Sequence, residues 1–447
     1  MSKQCALRTA IVLLLAASGA AAAATAADTV TRAPAPSFDR ALRQAMLNDP
    51  ELHKGALGVE IAEQETGRAL SQFMPRMDLS AGTARIDAYG NVPGLETLLL
   101  AGSRYAYSAS SSLSLTHNLY NGGIDQANLD VSREKVQEAR MQYYLKRATL
   151  ASQVLDQFHV LRQAELELRI AQVQQEAKDE QLRQVEGDFA LGRRAALNVS
   201  EAQYEAQMRA LASSTRERAY RNALRDLTVL IGEAPRALPA PAPASAPQHG
   251  YNNVLTRWGF GAPGAVNEVQ LSASRIRQAN LDVERAKGRY LPRLDIYARI
   301  TSAGVNRNDF NKAYTGQTKD KRFIGFSLTW NLFDGFDTSS DVAASLARAA
   351  YAQADFKVVS RDLAKQINEL GRPLADAEED EQTERKRLEL MQKKLGITRV
   401  KLELGKIDAH AVATAQTELA VQELELEKRS ETIDYYKARL LLRKGAL

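Results

Sequence analysis

Along the chain the spacing of apolar residues changes in a fixed order, and the whole order occurs twice. Residues 38–72 repeat their apolar positions with helical period, and Asp49-Pro50 interrupts them because proline removes an intrahelical hydrogen bond. After Pro75 the period becomes two. Met77, Leu79 and Ala81 alternate with Arg76, Asp78 and Ser80, and beyond a GNVPG turn at 90–94 a second run places Tyr105, Tyr107, Ala109, Ser111, Leu113 and Leu115 on one face. These runs predict strands at about 76–88 and 104–117. Helical period then returns, giving a long helix at about 122–190 and a return helix at about 195–231. The second pass predicts strands at about 293–302 and 322–332, with Ile324, Phe326, Leu328, Trp330 and Leu332 on one face. A long helix at about 336–404 and a return helix at about 408–443 follow. At 1.5 Å per residue each long helix measures about 100 Å, a length that requires coiled-coil-like packing.

Two stretches mark where strand becomes helix: LSLTHNLYNGG (113–123) and FSLTWNLFDGF (326–336). Asn-Gly or Asp-Gly after alternating residues ordinarily signals a tight hairpin, yet no strand follows either. Each motif therefore closes a hairpin begun upstream. Gly122 and Gly335 let the backbone turn out of the sheet, and Asn121 and Asp334 are placed to cap the helix start. At an offset of 213, LTHNLYNGG aligns with LTWNLFDGF and LGRRAALNVSEAQ (191–203) with LGKIDAHAVATAQ (404–416), while FMPRMDLSAG (73–82) pairs with YLPRLDIYAR (290–299) at 217. The chain thus reads as two repeats, 38–232 and 263–445, joined by a Pro/Ala-rich linker over 233–262. Gly371-Arg372-Pro373 falls inside the second long helix and predicts a local break near 371–373.

Composition narrows the function classes. Lys3 and Arg8 precede a short apolar run closed by small residues, so 1–26 is expected to be a secretory signal peptide, cleaved after Ala26 or Ala27. The sole cysteine, Cys5, stands before that run, which leaves the exported part without disulfides, thiolate chemistry or a lipid anchor. His53, His117, His159, His249 and His410 lack metal-ligand spacing, and there is no serine elbow or phosphate loop, so neither an enzyme nor a metal or cofactor site is expected. A net charge of +5 spread over interleaved acids and bases gives no nucleic-acid stripe. A mean hydropathy of −0.35 excludes a bundle of transmembrane helices but not a membrane β-barrel.

Four strands cannot close a barrel in lipid, where every backbone group must be paired, so strands placed in an outer membrane require several chains. The order helix, LP-R strand, loop, strand ending L-[YF]-[ND]-G, long helix, then L-G with a following A-Q, twice over, resembles the TolC family of outer-membrane efflux proteins across nearly the whole exported chain. The resemblance implies an α+β membrane protein of duplicated halves. It would act as a homotrimer whose twelve-stranded β-barrel in outer-membrane lipid continues as a periplasmic α-helical barrel. It implies a passive exit duct docking a periplasmic adaptor and an inner-membrane ABC or proton-driven pump, for type I protein secretion, multidrug or metal efflux. The missing lipidation cysteine leans toward secretion. A periplasmic coiled-coil adaptor or structural protein is the alternative; it would leave the duplicated strands unexplained.

On the same resemblance Gly192 and Arg193, with Gly405 and Lys406, correspond to adaptor-docking helix tips. The carboxylates often found six and nine residues beyond the second tip glycine are here Ala411 and Thr414, and Asn198 stands six beyond the first. The usual constriction is therefore absent or rebuilt, with Glu201 and Asp408 as candidate substitutes. Tyr105, Tyr107 and Trp330 are candidates for interfacial aromatic belts, ordinary strand packing being the alternative for the tyrosines.

Overall fold

The computed structural model of the protein describes residues 37–87, 105–232, 250–261, 268–306, 309–315 and 321–444. The expected signal peptide, the turn at 90–94, His249 and Gly445 lie outside them. Helices α1 (Phe38–Asn48) and α2 (Pro50–Ser71) lead into strands β1 (Arg76–Asp87) and β2 (Tyr105–Asn121). Then come α3 (Ile124–Ala190), α4 (Ala196–Leu230), α5 (Tyr251–Arg257) and α6 (Glu268–Gly288). Strand β3 (Arg293–Asn306), α7 (Phe310–Thr315), β4 (Lys321–Thr329), α8 (Asp337–Glu403) and α9 (Ala409–Lys444) complete the described chain. The expected interruption between the first two helices is present: Asp49 accepts a hydrogen bond from the Leu52 N–H at 2.7 Å, and Pro50 opens α2.

The strands form one antiparallel sheet in the order β1-β2-β3-β4. A bulge between Asn118 and Tyr120 shifts the β2–β3 register by one residue. Residues before and after it would otherwise lie on opposite faces; the bulge returns Tyr120 to the face of Leu113 and Leu115.

The helices line up in the same order as the strands. α3 packs against α2 and α4 on one side and against α6 and α9 on the other, and α8 packs against α6 and α9. The result is four columns: α2 with α4, α3, α6 with α9, and α8. α3 and α8 have the same length, 67 residues, which is about 100 Å of helix. Their burial differs. α3 buries sixteen residues from Ala127 to Val185, whereas α8 buries six. α3 is an inner column and α8 an edge.

The main core lies half-way along α3, where Leu150, Val154, Leu155, Phe158 and Leu161 meet α1, the end of α4, α5 and Tyr435 of α9. Phe38, Phe158 and Tyr251 pack edge to face, with ring centroids 5.1–6.0 Å apart. α5 corrects the far bound of the Pro/Ala-rich linker read over 233–262, since Tyr251–Arg257 is helical. Its Tyr251 and Leu255, and Phe260 just beyond, are buried, and the Trp258 indole N–H donates to Asp39 at 3.1 Å. Pro and Ala dominate only the part before residue 250. The YNNVLTRW segment has helical spacing and the aromatic residues the belt core needs.

A second correction concerns Pro373. α8 is continuous from Asp337 to Glu403 and carries Pro373 in its interior. One missing N–H leaves a single unmade bond in a helix held on both sides: Leu363 and Ala377 are buried, and beyond the proline Glu378 pairs with Lys437 and Asp380 with Arg429 of α9. Tertiary packing outweighs the local penalty of about 3 kcal/mol.

Candidate pore, tip and joint sites

The sheet separates its residues by chemistry. On one face, successive cross-strand rows read Tyr120–Leu294–Leu328, His117–Ile296–Phe326, Met77–Leu115–Ala298–Ile324 and Leu79–Leu113–Ile300–Arg322. On the other, Ser80–Ser112–Thr301 and Asp78–Ser114–Arg299 are neighbours. Ile324 is 81% and Leu79 77% exposed. A face this apolar and uncovered needs lipid, and the hydroxyl-rich face suits water. Among the described residues β1 and β4 each leave an edge free of backbone partners, so closure of the sheet needs further copies.

The joints follow one plan with two variants. Asn121 Oδ1 accepts from the Asp125 N–H at 3.2 Å, and Asp334 Oδ2 from the Thr338 N–H at 2.9 Å. The expected caps therefore act from two residues before the capping positions Gly123 and Phe336, both left-handed at φ 82° and 72°. The Thr338 hydroxyl also donates to Asp334. Gly122 and Gly335 are also left-handed, at φ 74° and 66°. A side chain at Gly122 would stand 2.1 Å from the Gly288 carbonyl at the end of α6, whereas at Gly335 it would meet nothing within 4 Å. Trp330 lies one residue past the last ladder position of β4, exposed, its indole N–H donating to the Tyr290 carbonyl at 3.0 Å. Tyr107 lies at the opposite end of the sheet, 6.4 Å from Phe310 of α7. Tyr105 opens β2; its side chain lies outside the described residues.

The two helix tips are built alike. Gly192 (φ 70°) donates to the Phe189 carbonyl at 2.8 Å and Arg193 to that of Asp188 at 2.8 Å. Gly405 (φ 65°) donates to Leu402 at 2.9 Å and Lys406 to Lys401 at 2.9 Å. This is the paired bond pattern that ends a helix at a left-handed residue, which is why glycine stands there. Both glycines, Arg193 and Lys406 are exposed. Of the constriction candidates, Asn198, Glu201, Asp408 and Thr414 are exposed and Ala411 is half-buried. Thr414 lines a groove of about 780 Å³ near the tips with Lys178, Arg209, Met391 and His410; Asn198, Glu201, Asp408 and Ala411 do not.

One polar cluster has no signature in the sequence. Between α3 and α9, Glu431 accepts from Gln163 at 2.6 Å and from the Tyr251 hydroxyl at 2.7 Å, with His159 Nδ1 at 2.8 Å. Glu165 holds Arg162 at 2.6 Å and Arg169 at 2.7 Å, and the Tyr435 hydroxyl donates to Asp156 at 2.8 Å. Burial, then the nearby Glu431 charge, pushes the Tyr251 hydroxyl up; burial, then Asp156, pushes Tyr435 up to about 12. Helical periodicity gives no hint that these charged positions face a neighbour. Among the described residues no cluster of His, Cys, Asp and Glu could hold a metal, and no helix is long and apolar enough to cross a membrane.

Residues 41–233 and 267–441 match the outer membrane efflux protein family. The chain belongs to that family. The two matched blocks coincide with the repeats on either side of the linker. In solved structures, CusC, described for its transmembrane channel formation, superposes with a TM-score of 0.69 at 13% identity, covering 92% of each chain. The outer membrane protein VceC of Vibrio cholerae gives 0.68 at 14%, over 92% of this chain and 96% of that one. The MtrE outer membrane channel of Neisseria gonorrhoeae, in its open state, gives 0.63 at 14%, over 90% and 88%. None of the curated proteins matches in sequence. As a member of this family the chain is a non-enzymatic exit duct in the outer membrane with its helices in the periplasm. Channels of the family are trimers that work with adaptor proteins and inner-membrane pumps.

Proposed function

We propose that this protein is the final duct of a tripartite exporter whose adaptor docks on the tips at Gly192–Arg193 and Gly405–Lys406. The observation that carries this reading is the duplicated tip: two left-handed glycines with open space where a side chain would stand, each followed by an exposed cation. Glycine admits another backbone at close range. Beside the first tip glycine Leu191 is 67% exposed, an apolar contact that a helical hairpin tip would cover. The pump, an ABC or proton-driven protein, supplies the energy, and the cargo is a secreted protein, a drug or both.

With no carboxylate at Ala411 or Thr414, we place the periplasmic constriction near Glu201 and Asp408, beside Arg193 and Lys406. Such a mixed ring is less selective for cations than one of carboxylates alone. Photo-crosslinkers at Arg193 and Lys406 should capture one periplasmic protein, and Gly405→Val should block export while the trimer still assembles. Capture from neither site together with normal export by Gly405→Val would rule out tip docking. Deletion of the gene should raise sensitivity to several drugs or retain a secreted protein; which of the two occurs assigns the cargo.

A further inference from the structure

The lipid-facing band of the sheet is too short on its own. From the Leu294 row to the Ile300 row is about 20 Å along the strands, and a tilt of about 40° reduces that to about 15 Å of height, against an apolar band of about 25 Å in membrane barrels. At the helical end Trp330, Phe333 and Phe336, all exposed, continue the band. At the far end, which is the cell exterior because all four strands meet helices at the other end, the outward positions become small: Ala81–Ser111–Ser302, then Thr83–Ala109–Gly304.

α7 lies on those small residues. It packs against β2 and β3, buries Ala313 completely, and covers Ala109 and Gly304, which are buried, while Ser110 and Ala303 of the opposite face stay exposed. Asp309 starts the helix by accepting from the Asn311 N–H at 2.9 Å. Phe310 and Tyr314 are 45% and 59% exposed, with Phe310 edge-on to Tyr107. Lys312 on α7 and Arg322 at the outer margin of the band are exposed and have no acidic partner among the described residues.

We propose that α7 is an interfacial anchor that completes the lipid-facing surface at the outer leaflet, with Phe310 and Tyr314 at the acyl boundary, Lys312 at the phosphates of lipid A and Arg322 snorkelling outward to them from the edge of the band. The surface is continuous with the band that faces lipid, and the inference rests on that facing. Aromatic rings take this depth in membrane proteins, and exposed cations without acidic partners among the described residues favour an anionic headgroup over a zwitterionic one.

The test uses the full-length trimer with Cys5→Ser, carrying a nitroxide at Tyr314→Cys, Phe326→Cys or Ser110→Cys, in phosphatidylcholine vesicles. Phe326 lies within the band and Ser110 on the opposite face, so these two report whether the sheet faces lipid as described. With both as expected, position 314 should be more accessible to oxygen than to a water-soluble nickel chelate; the reverse overturns the anchor. A failure at 326 instead overturns the facing of the sheet. In the second arm the wild-type trimer should bind lipid A, and Lys312→Gln with Arg322→Gln should lower that affinity by about 30-fold. Restoring Lys312 alone should recover part of it. Equal lipid A binding by the assembled double variant overturns the phosphate assignment.

Discussion

At the scale of single residues the two joints are a matched pair in which the same turn meets different surroundings. Gly122 needs glycine twice over, for its φ of 74° and because a side chain would stand 2.1 Å from the Gly288 carbonyl. Gly335 needs it only for φ, since the space around it is open in the single chain. Gly122→Ala should therefore abolish folded, heat-modifiable trimer or lower its melting temperature by several degrees more than Gly335→Ala, whose cost is that of one left-handed residue, about 1–2 kcal/mol. Denaturing electrophoresis of unheated samples and a thermal scan measure both. Phe336 shows the same logic reversed. It is the one non-glycine with positive φ among the described residues, and it is exposed with Phe333 against its edge. The backbone strain is retained where an aromatic side chain faces the membrane boundary, and the sequence showed only that glycine had been replaced there.

At the scale of elements, Pro373 should be a removable cost. Pro373→Ala restores a donor to the Glu369 carbonyl in an unbroken helix and should raise the melting temperature without changing helix content; a fall would mean that α8 requires a bend there. Two buried tyrosines packed around α3, Tyr220 of α4 and Tyr435 of α9, shape the alkaline limit. Tyr435 and Tyr220 are both pushed up to about 12, chiefly by burial, so in the folded chain they keep protons that the unfolded chain loses from about pH 10. Stability from these groups is therefore complete below pH 10 and declines as pH rises toward 12. Tyr435→Phe should flatten part of that decline in a pH series of thermal scans. Why these elements differ in legibility is physical. Strand alternation, the duplicated turns and the tip glycines are local features and could be read from spacing to within a few residues. The Glu431 cluster and α7 depend on which helix or strand lies alongside, which no local period encodes. The break expected at Pro373 failed for the same reason: the contacts that hold the helix straight lie on α9.

The whole molecule is an incomplete wall. Its four columns end in two open edges, α2 with α4 on one side and α8 on the other, in the same order as the open strands β1 and β4. Both edges carry a seven-residue apolar repeat near the tips. Leu197, Tyr204 and Leu211 with Met208 are exposed on α4, and Leu390, Ile397 and Leu404 with Val400 on α8. A repeat of seven is the signature of a coiled-coil seam, so α8, which buries little within its own chain, is expected to pair with the α4 edge of the next copy. Closure of the sheet and of the helical wall are then a single event, because the same rotation that brings α8 to a neighbouring α4 brings β4 to a neighbouring β1. Ile397→Asp should consequently leave helix content unchanged but prevent the trimer, seen as a monomer by native electrophoresis in detergent. Met208→Asp should do the same from the other edge, and Arg399→Asp, exposed on α8 but outside the repeat, should not. Trimers assembled by both Ile397→Asp and Met208→Asp would place the interface elsewhere on the wall.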